Sequence, residues 1–194
     1  ESFVAVHETY HNLGDAANKI AAWLRKRGYS AQAGHPLMGL ALYPPLAQQA
    51  GLGWRGMNGL LITPRFGPRV RLAAVFTSVE NLPVDPDKAH QHLWIEKYCA
   101  LCRRCASECP PQAILDPPRE HDSGLVSCVD AEACFPYFFD YYGCSICIRV
   151  CLFQDPAYLA LKLSTVIRMT LRRSGSPIGA TGRRISYSVC ATRG

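Results

Sequence analysis

Cys99-Ala-Leu-Cys102-Arg-Arg-Cys105-Ala-Ser-Glu-Cys109-Pro110 sets the reading of the whole chain. Four cysteines at intervals of three, three and four, closed by proline, are the spacing of a [4Fe-4S] cluster. Three thiolates within seven residues reach three corners of one cube only if the backbone coils tightly, and the fourth then points towards a neighbouring cube. A second group is therefore expected downstream. It is present as Cys144-Ser-Ile-Cys147-Ile-Arg-Val-Cys151, with Cys128 and Cys134 upstream as candidates for the remaining ligand. Zinc is the plainer use of clustered cysteines, but structural zinc favours two well separated Cys-x-x-Cys pairs over three cysteines in one tight run.

The bulk composition is compatible with a folded, metal-bound protein. A chain of 194 residues with 48% hydrophobic residues can bury a real core and make one or two domains. Nine of the ten cysteines lie between Cys99 and Cys151, which argues for reduced metal-bound thiolates rather than a secreted disulfide scaffold. The net charge of +6 is modest, and much of the positive side sits at Arg168, Arg172, Arg173, Arg183, Arg184 and Arg193, so nucleic acid is compatible but not demanded. The apolar segment from Ala157 to Leu171 is too short and too charged to span a bilayer. The sequence opens at Glu1 with no signal-like run. The expectation is a cytoplasmic protein, or a processed form or piece whose export signal has been removed.

Along the chain, Phe3 to Val6 suggests a short buried strand, and Asn12 opens a helix to Arg27 with Leu13, Ala17, Ile20 and Leu24 on one face. Tyr29 to Ala33 reads as a strand, and Pro44-Pro45 starts a short helix that ends near Gly51. Four glycines between Gly51 and Gly59 suit a backbone that takes positive φ or approaches something closely. Leu60 to Thr63 and Val70 to Val79 predict two antiparallel neighbours joined by Pro64-Arg-Phe-Gly67-Pro68. Residues 80 to 93, with Pro83 and Pro86, read as a linker. A short helix is expected from Pro110 to Ile114, then a polar loop from Asp116 to Gly124. Six aromatics between Phe135 and Tyr142 could exclude water from a cluster, or simply pack a core. Asp155 is expected to cap a helix through Leu171, with Leu159, Leu163, Val166 and Ile167 inward.

Taken together, Ala50-Gly51-Leu52-Gly53, then Gly59-Leu-Leu-Ile-Thr-Pro-Arg-Phe-Gly-Pro-Arg-Val-Arg71, then the two cysteine groups, resemble the corrinoid-dependent iron–sulfur reductases. That superfamily contains the reductive dehalogenases and the epoxyqueuosine reductases, and the resemblance covers about residues 10 to 155. It implies an α+β chain, with part of a nitroreductase-like α/β corrinoid-binding domain at 1–80 and a linker at 81–98. A ferredoxin-like domain with two [4Fe-4S] clusters at 99–155 and a C-terminal helix with a basic tail at 156–194 would follow. It also implies a crossed ligand set: Cys99, Cys102, Cys105 and Cys151 on one cluster, and Cys109, Cys134, Cys144 and Cys147 on the other. Cys134 is preferred to Cys128 because the dehalogenase-like pattern has an isolated cysteine before an aromatic segment and then Gly-Cys-x-x-Cys, here from Gly143. Leu152 departs from the proline that the family often has after the last cysteine.

The resemblance implies further roles. Gly51, Gly53, Asn58 and Gly59 would lie against the corrinoid (cobalamin). Dehalogenases use a tyrosine as proton donor beside a basic residue, for which Tyr10 and Arg69 are the matching positions; the plain alternatives are a half-buried helix tyrosine and a solvated hairpin at Arg69 and Arg71. Epoxyqueuosine reductases have an aspartate where Leu37 stands, which favours the dehalogenase branch. No Asp-x-His-x-x-Gly motif occurs, so His7, His11 and His35 are not assigned to cobalt. The expected function is electron transfer through two clusters to a corrinoid that reductively dehalogenates a small organohalide, served by a low-potential electron donor protein. Two alternatives are a tRNA-modifying epoxyqueuosine reductase relative and a non-catalytic two-cluster electron carrier.

Overall fold

The computed structural model describes residues 3–35, 40–83, 85–154 and 158–174. The chain is mixed α/β. Helix α1 (Phe3–Arg25) packs on a two-stranded antiparallel sheet of β1 (Ala31–Gly34) and β4 (Ala74–Thr77), with Ala31 opposite Thr77 and Gly34 opposite Ala74. Between these strands lie α2 (Tyr43–Gln49), with prolines in its first turn, and the small antiparallel pair β2 (Trp54–Arg55) and β3 (Leu61–Ile62). The second half runs α3 (Pro86–His90), α4 (Trp94–Cys102), α5 (Arg104–Ser107), β5 (Ile114–Glu120), β6 (Val126–Val129), α6 (Ala131–Asp140), α7 (Ile146–Arg149) and α8 (Tyr158–Ser174).

The core that joins the halves is Trp54, Ile62, Ile95 and Phe153, with Leu93, Trp94, Tyr98, Cys99, Cys151, Tyr158 and Leu161 packed around it. Trp94, Tyr98, Phe153 and Tyr158 meet edge-on or tilted, with centroids 5.0 to 6.4 Å apart, the geometry that aromatic quadrupoles favour. Residues 50–62 and 93–102 thus share one core, and the cysteines lie on its edge.

Several expectations are corrected. Phe3 to Val6 is the first turn of α1, not a strand: Val4 and Val6 are exposed, and a helix satisfies its own backbone where no partner strand is at hand. Leu60–Thr63 and Val70–Val79 do not pair with each other. Thr63 and Gly67 do close a tight turn through two 3.0 Å backbone hydrogen bonds, but β3 pairs with β2 and β4 pairs with β1. The reason is steric: a Cβ on Gly53 would stand 2.1 Å from the Ile62 carbonyl oxygen, so its absence brings β2 onto β3. The stretch after Pro110 is turn rather than helix, and the expected polar loop is the β5–β6 hairpin, with Gly124 (φ +76°) near its tip. The linker contains α3, capped by Asp85, whose carboxylate accepts from the Asp87 N–H.

The aromatic segment forms α6, capped by Asp130. Phe139 is 74% and Tyr142 97% exposed, so these two rings pack no core within this chain. On α8, Leu159, Leu163 and Val166 point outward, while Tyr158, Leu161 and Thr165 face the core side. Asp155, Leu37 and Cys190 lie outside the described residues, as does the tail beyond Ser174, and the side chain of Ile167 is not described.

Candidate iron–sulfur centre

Local geometry gathers the first three cysteines. Cys99 and Cys102 are three apart on α4 and therefore share a helix face. Arg103 then takes the left-handed conformation (φ 52°), ends α4 and starts α5, which turns Cys105 back towards the same place. The Arg103 guanidinium pairs with Asp116 on β5, tying that turn to the hairpin. In the second group, Tyr142 (φ 51°) and Gly143 (φ +92°) reverse the chain after α6 and deliver Cys144 and Cys147. Helix α7 packs against α5 and leads to Cys151.

The thiols act on one another electrostatically. Burial pushes the Cys99 thiol up to about 12, with Cys151, Cys105 and Cys102 adding to the rise and a hydrogen bond from the Met57 backbone N–H opposing it. Burial takes Cys105 to about 11, with Cys151 and Cys102 adding. Cys151 is raised by burial and by Cys102 and Cys147, against a hydrogen bond from the Phe153 N–H. Cys134 is raised by burial, then by Cys109 and Cys144, and Cys147 reaches about 11 by burial with Cys105, Cys144, Cys109 and Cys134. These thiols lie near enough to act on one another, and not as two closed groups: Cys105 comes first among the thiols that act on Cys147, and Cys147 also acts on Cys151. Cys128 is elsewhere: it is buried and raised by that burial, and the charge acting on it is the Arg55 guanidinium.

The donor set fits cubane clusters. Among the described residues, no three Cys, His, Asp or Glu side chains converge as the ligands of a single ion do. A single zinc needs four donors at about 2.0–2.3 Å from one point, whereas a cubane takes each thiolate at a different iron. Thiols that act on one another without converging on one point suit the second case.

The other expected residues are less clearly assembled. A Cβ on Gly51 (φ +71°) would meet Lys88 at 2.5 Å, and one on Gly59 (φ +75°) would touch Cys128 at 3.4 Å. Asn58 is buried and accepts from the Leu60 N–H. Gly51, Gly53, Asn58 and Gly59 thus each have close contacts within the chain. Arg69 donates to the Gln154 carbonyl at 2.7 Å, and the guanidinium over the Tyr10 ring belongs to Arg71, 5.3 Å from its centroid. The sequence reading missed the Met57 contact with Cys99, because a backbone donor has no residue signature. It also missed His92, whose Nδ1 lies 2.5 Å from the Tyr158 hydroxyl.

No family model matches the chain. Over 166 residues it is 40% identical to a tetrachloroethene reductive dehalogenase of Desulfitobacterium hafniense, which covers 77% of this chain and 28% of that protein. An epoxyqueuosine reductase of Gloeobacter violaceus is 30% identical over 135 residues, covering 69% of this chain and 37% of the reductase. The solved catabolic reductive dehalogenase NpRdhA superposes with a TM-score of 0.62 at 25% identity, over 77% of this chain and 22% of that structure. This chain thus spans about a quarter of the length of the dehalogenases it matches. By sequence and by fold, most of the chain is homologous to one segment of the reductive dehalogenases, with the epoxyqueuosine reductases as more distant relatives.

Proposed function

We propose that this chain is the cluster-bearing portion of a corrinoid-dependent iron–sulfur reductase of the reductive dehalogenase type. The observation that carries the proposal is that the cysteines of both groups act on one another in a chain homologous to those enzymes; their division into Cys99/Cys102/Cys105/Cys151 and Cys109/Cys134/Cys144/Cys147 is part of the proposal. Bound there, two [4Fe-4S] clusters would supply one-electron carriers, and a corrinoid would supply the reducing centre for a carbon–halogen bond. The protein's own contribution is placement: Cys105 and Cys147 keep the two sets adjacent, and the Trp54–Ile62–Ile95–Phe153 core covers the Cys99 and Cys151 side. Nothing in the contacts of Gly51, Gly53, Asn58 or Gly59 argues for a corrinoid, so that part of the proposal rests on the relatives.

The proposed domain plan is a partial nitroreductase-like unit at 1–80 followed by a ferredoxin-like unit at 99–155. Tyr10 is the proposed proton donor, and the cation supported as its neighbour is Arg71, because Arg69 is engaged with Gln154. A phenol held in place in this way could deliver a proton to a developing carbanion. A low-potential carrier protein and a small organohalide are the proposed partners. No described helix is long and apolar enough to cross a membrane, and a cytoplasmic location stays part of the proposal.

The test is metal content after anaerobic reconstitution with iron, sulfide and hydroxocobalamin, followed by gel filtration. About eight iron per chain is expected, with Cys128→Ser unchanged and Cys102→Ser reduced to about four. Retained cobalt would support the reductase; eight iron without cobalt would leave a two-cluster electron carrier, and zinc would overturn the reading. The 30% identity to an epoxyqueuosine reductase favours a second reading, a tRNA-modifying relative. That reading predicts tRNA binding that weakens steeply with salt.

A further inference from the structure

Cys102 stands in the wall of a surface pocket of about 270 Å³ that opens where α4, α5 and α8 meet. Leu101 and Leu152 give the pocket apolar sides, Ser164 and Thr165 come from α8, and Arg104 comes from α5. Leu101 is 46% exposed, and Arg104 and Lys97, one turn before Leu101 on α4, are exposed as well. Of the proposed cluster ligands, Cys102 alone lines this pocket. The elements around it hold most of the chain's net charge of +6. Residues 94–108 carry Lys97, Arg103 and Arg104 against Glu108 and the half-buried Glu96. Arg103 is paired with Asp116, whereas Arg104 is in none of the ion pairs among the described residues. Helix α8 contains Lys162, Arg168, Arg172 and Arg173 and no acidic residue.

We infer that this pocket is the docking site of the electron-carrier protein, that the carrier is acidic, and that its electron enters through the cluster that Cys102 ligates. The inference rests on the proposed function, which makes Cys102 a cluster ligand. One electron leaves the carrier's cofactor, which is oxidised, and reduces the [4Fe-4S] cluster; no bond forms or breaks. Carboxylates of the carrier face Lys97 and Arg104, and an apolar side chain seats between Leu101 and Leu152. Opposite charges steer and orient such an encounter, and electron-transfer complexes are held by small interfaces. RNA phosphates would meet the same cations, but a pocket that ends on a cluster ligand serves electron entry and does nothing for a nucleic acid.

The test uses the chain reconstituted anaerobically with iron and sulfide, reduced, freed of reductant and mixed with oxidised flavodoxin, a small acidic one-electron acceptor. Transfer in this direction crosses the same face, and formation of the flavin semiquinone gives its second-order rate. In Lys97→Glu/Arg104→Glu the rate at low salt should fall about tenfold or more, and at about 1 M salt it should meet that of the unsubstituted chain. Lys19→Glu/Lys26→Glu makes the same change of charge on and just after α1, at exposed positions, and should slow transfer much less. Cluster reduction by photoexcited deazaflavin, which needs no docking, should be alike in all three. Equal losses in both double variants, or no loss, with about eight iron bound, would overturn the inference alone. So would tRNA binding that Lys97→Glu/Arg104→Glu weakens while flavodoxin transfer is unmoved. If that variant fails to load iron, carbodiimide coupling of flavodoxin to the unsubstituted holoprotein decides: joints at Lys97 or Lys162 are expected, and joints confined to Lys19 and Lys26 overturn the inference. Zinc in place of iron would overturn the underlying cluster assignment, and this inference with it.

Discussion

At the scale of single residues, two glycines separate steric from conformational demands. Gly28 has φ +85° and open space within 4 Å of where a Cβ would stand, whereas a Cβ on Gly53 would lie 2.1 Å from a backbone oxygen. Gly28→Ala should therefore cost about 1–2 kcal/mol, the strain of a left-handed alanine. Gly53→Ala should cost about 3 kcal/mol or more, because backbone has to move; urea unfolding of the reconstituted chain measures both. His92 carries a pH dependence. Its imidazole is held below its ordinary 6.5, first by burial and also by Lys162, against a hydrogen bond to the Gly51 carbonyl. The neutral ring can donate to Gly51 and accept from Tyr158 at once. Because the folded value is depressed, the unfolded chain binds more protons below about 6.5, and stability falls as pH drops from there towards the folded value. The thermal midpoint should decline over that window in the unsubstituted chain and decline less in His92→Gln.

At the scale of elements, α6 and the segment around Phe153 carry similar aromatic residues to opposite ends. Phe153 is 4% exposed and packs against Trp94 and Tyr98 with centroids 5.6 and 5.1 Å away. Phe139 reaches into solvent and meets only Phe135 of its own helix at a tilt among the ring contacts described. Phe153→Ala should destabilise by about 3–5 kcal/mol through the cavity it leaves. Phe139→Ser should stay within about 0.5 kcal/mol. Equal losses would mean that α6 is buried in the protein as it exists in solution. Composition could not distinguish these helices, because six aromatics in eight residues read the same whether they line a core or a surface.

At the scale of the molecule, the proposed iron–sulfur centre would bear differently on two regions. Helix α1 packs on β1 and β4 and contains no cysteine, while the short helices α5 and α7 contact each other and each carries a proposed cluster ligand, Cys105 and Cys147. A four-residue helix has too few internal hydrogen bonds to persist alone, so α5 and α7 would depend on the proposed centre between them. Removing iron with a chelator should accelerate hydrogen exchange at 104–107 and 146–149, with α1 little changed. Uniform acceleration would mean that the metal centre and the α1 layer unfold as one unit.

The cysteine spacing by itself pointed to an iron–sulfur centre, because ligand geometry around a cube is local and a tight run of residues can encode it. That residues 12–25 are helical and that prolines open α2 was legible for the same reason, since backbone restraint acts over a few residues; the start of α1 was not, for it lies at Phe3 and not at the expected cap Asn12, and Ile20 is exposed. The partners of β3 and β4 were not legible, since both strands are two to four residues long and their pairing depends on what packs beneath them. The resemblance already preferred Cys134 to Cys128, but only the tertiary structure sets Cys128 beside Arg55 and Cys134 beside Cys109 and Cys144. That Arg71 rather than Arg69 reaches Tyr10, and that Met57 reaches Cys99, was likewise decided by tertiary structure alone. These are contacts between segments tens of residues apart, and only the packing of the Trp54, Ile62, Ile95 and Phe153 core brings those segments together.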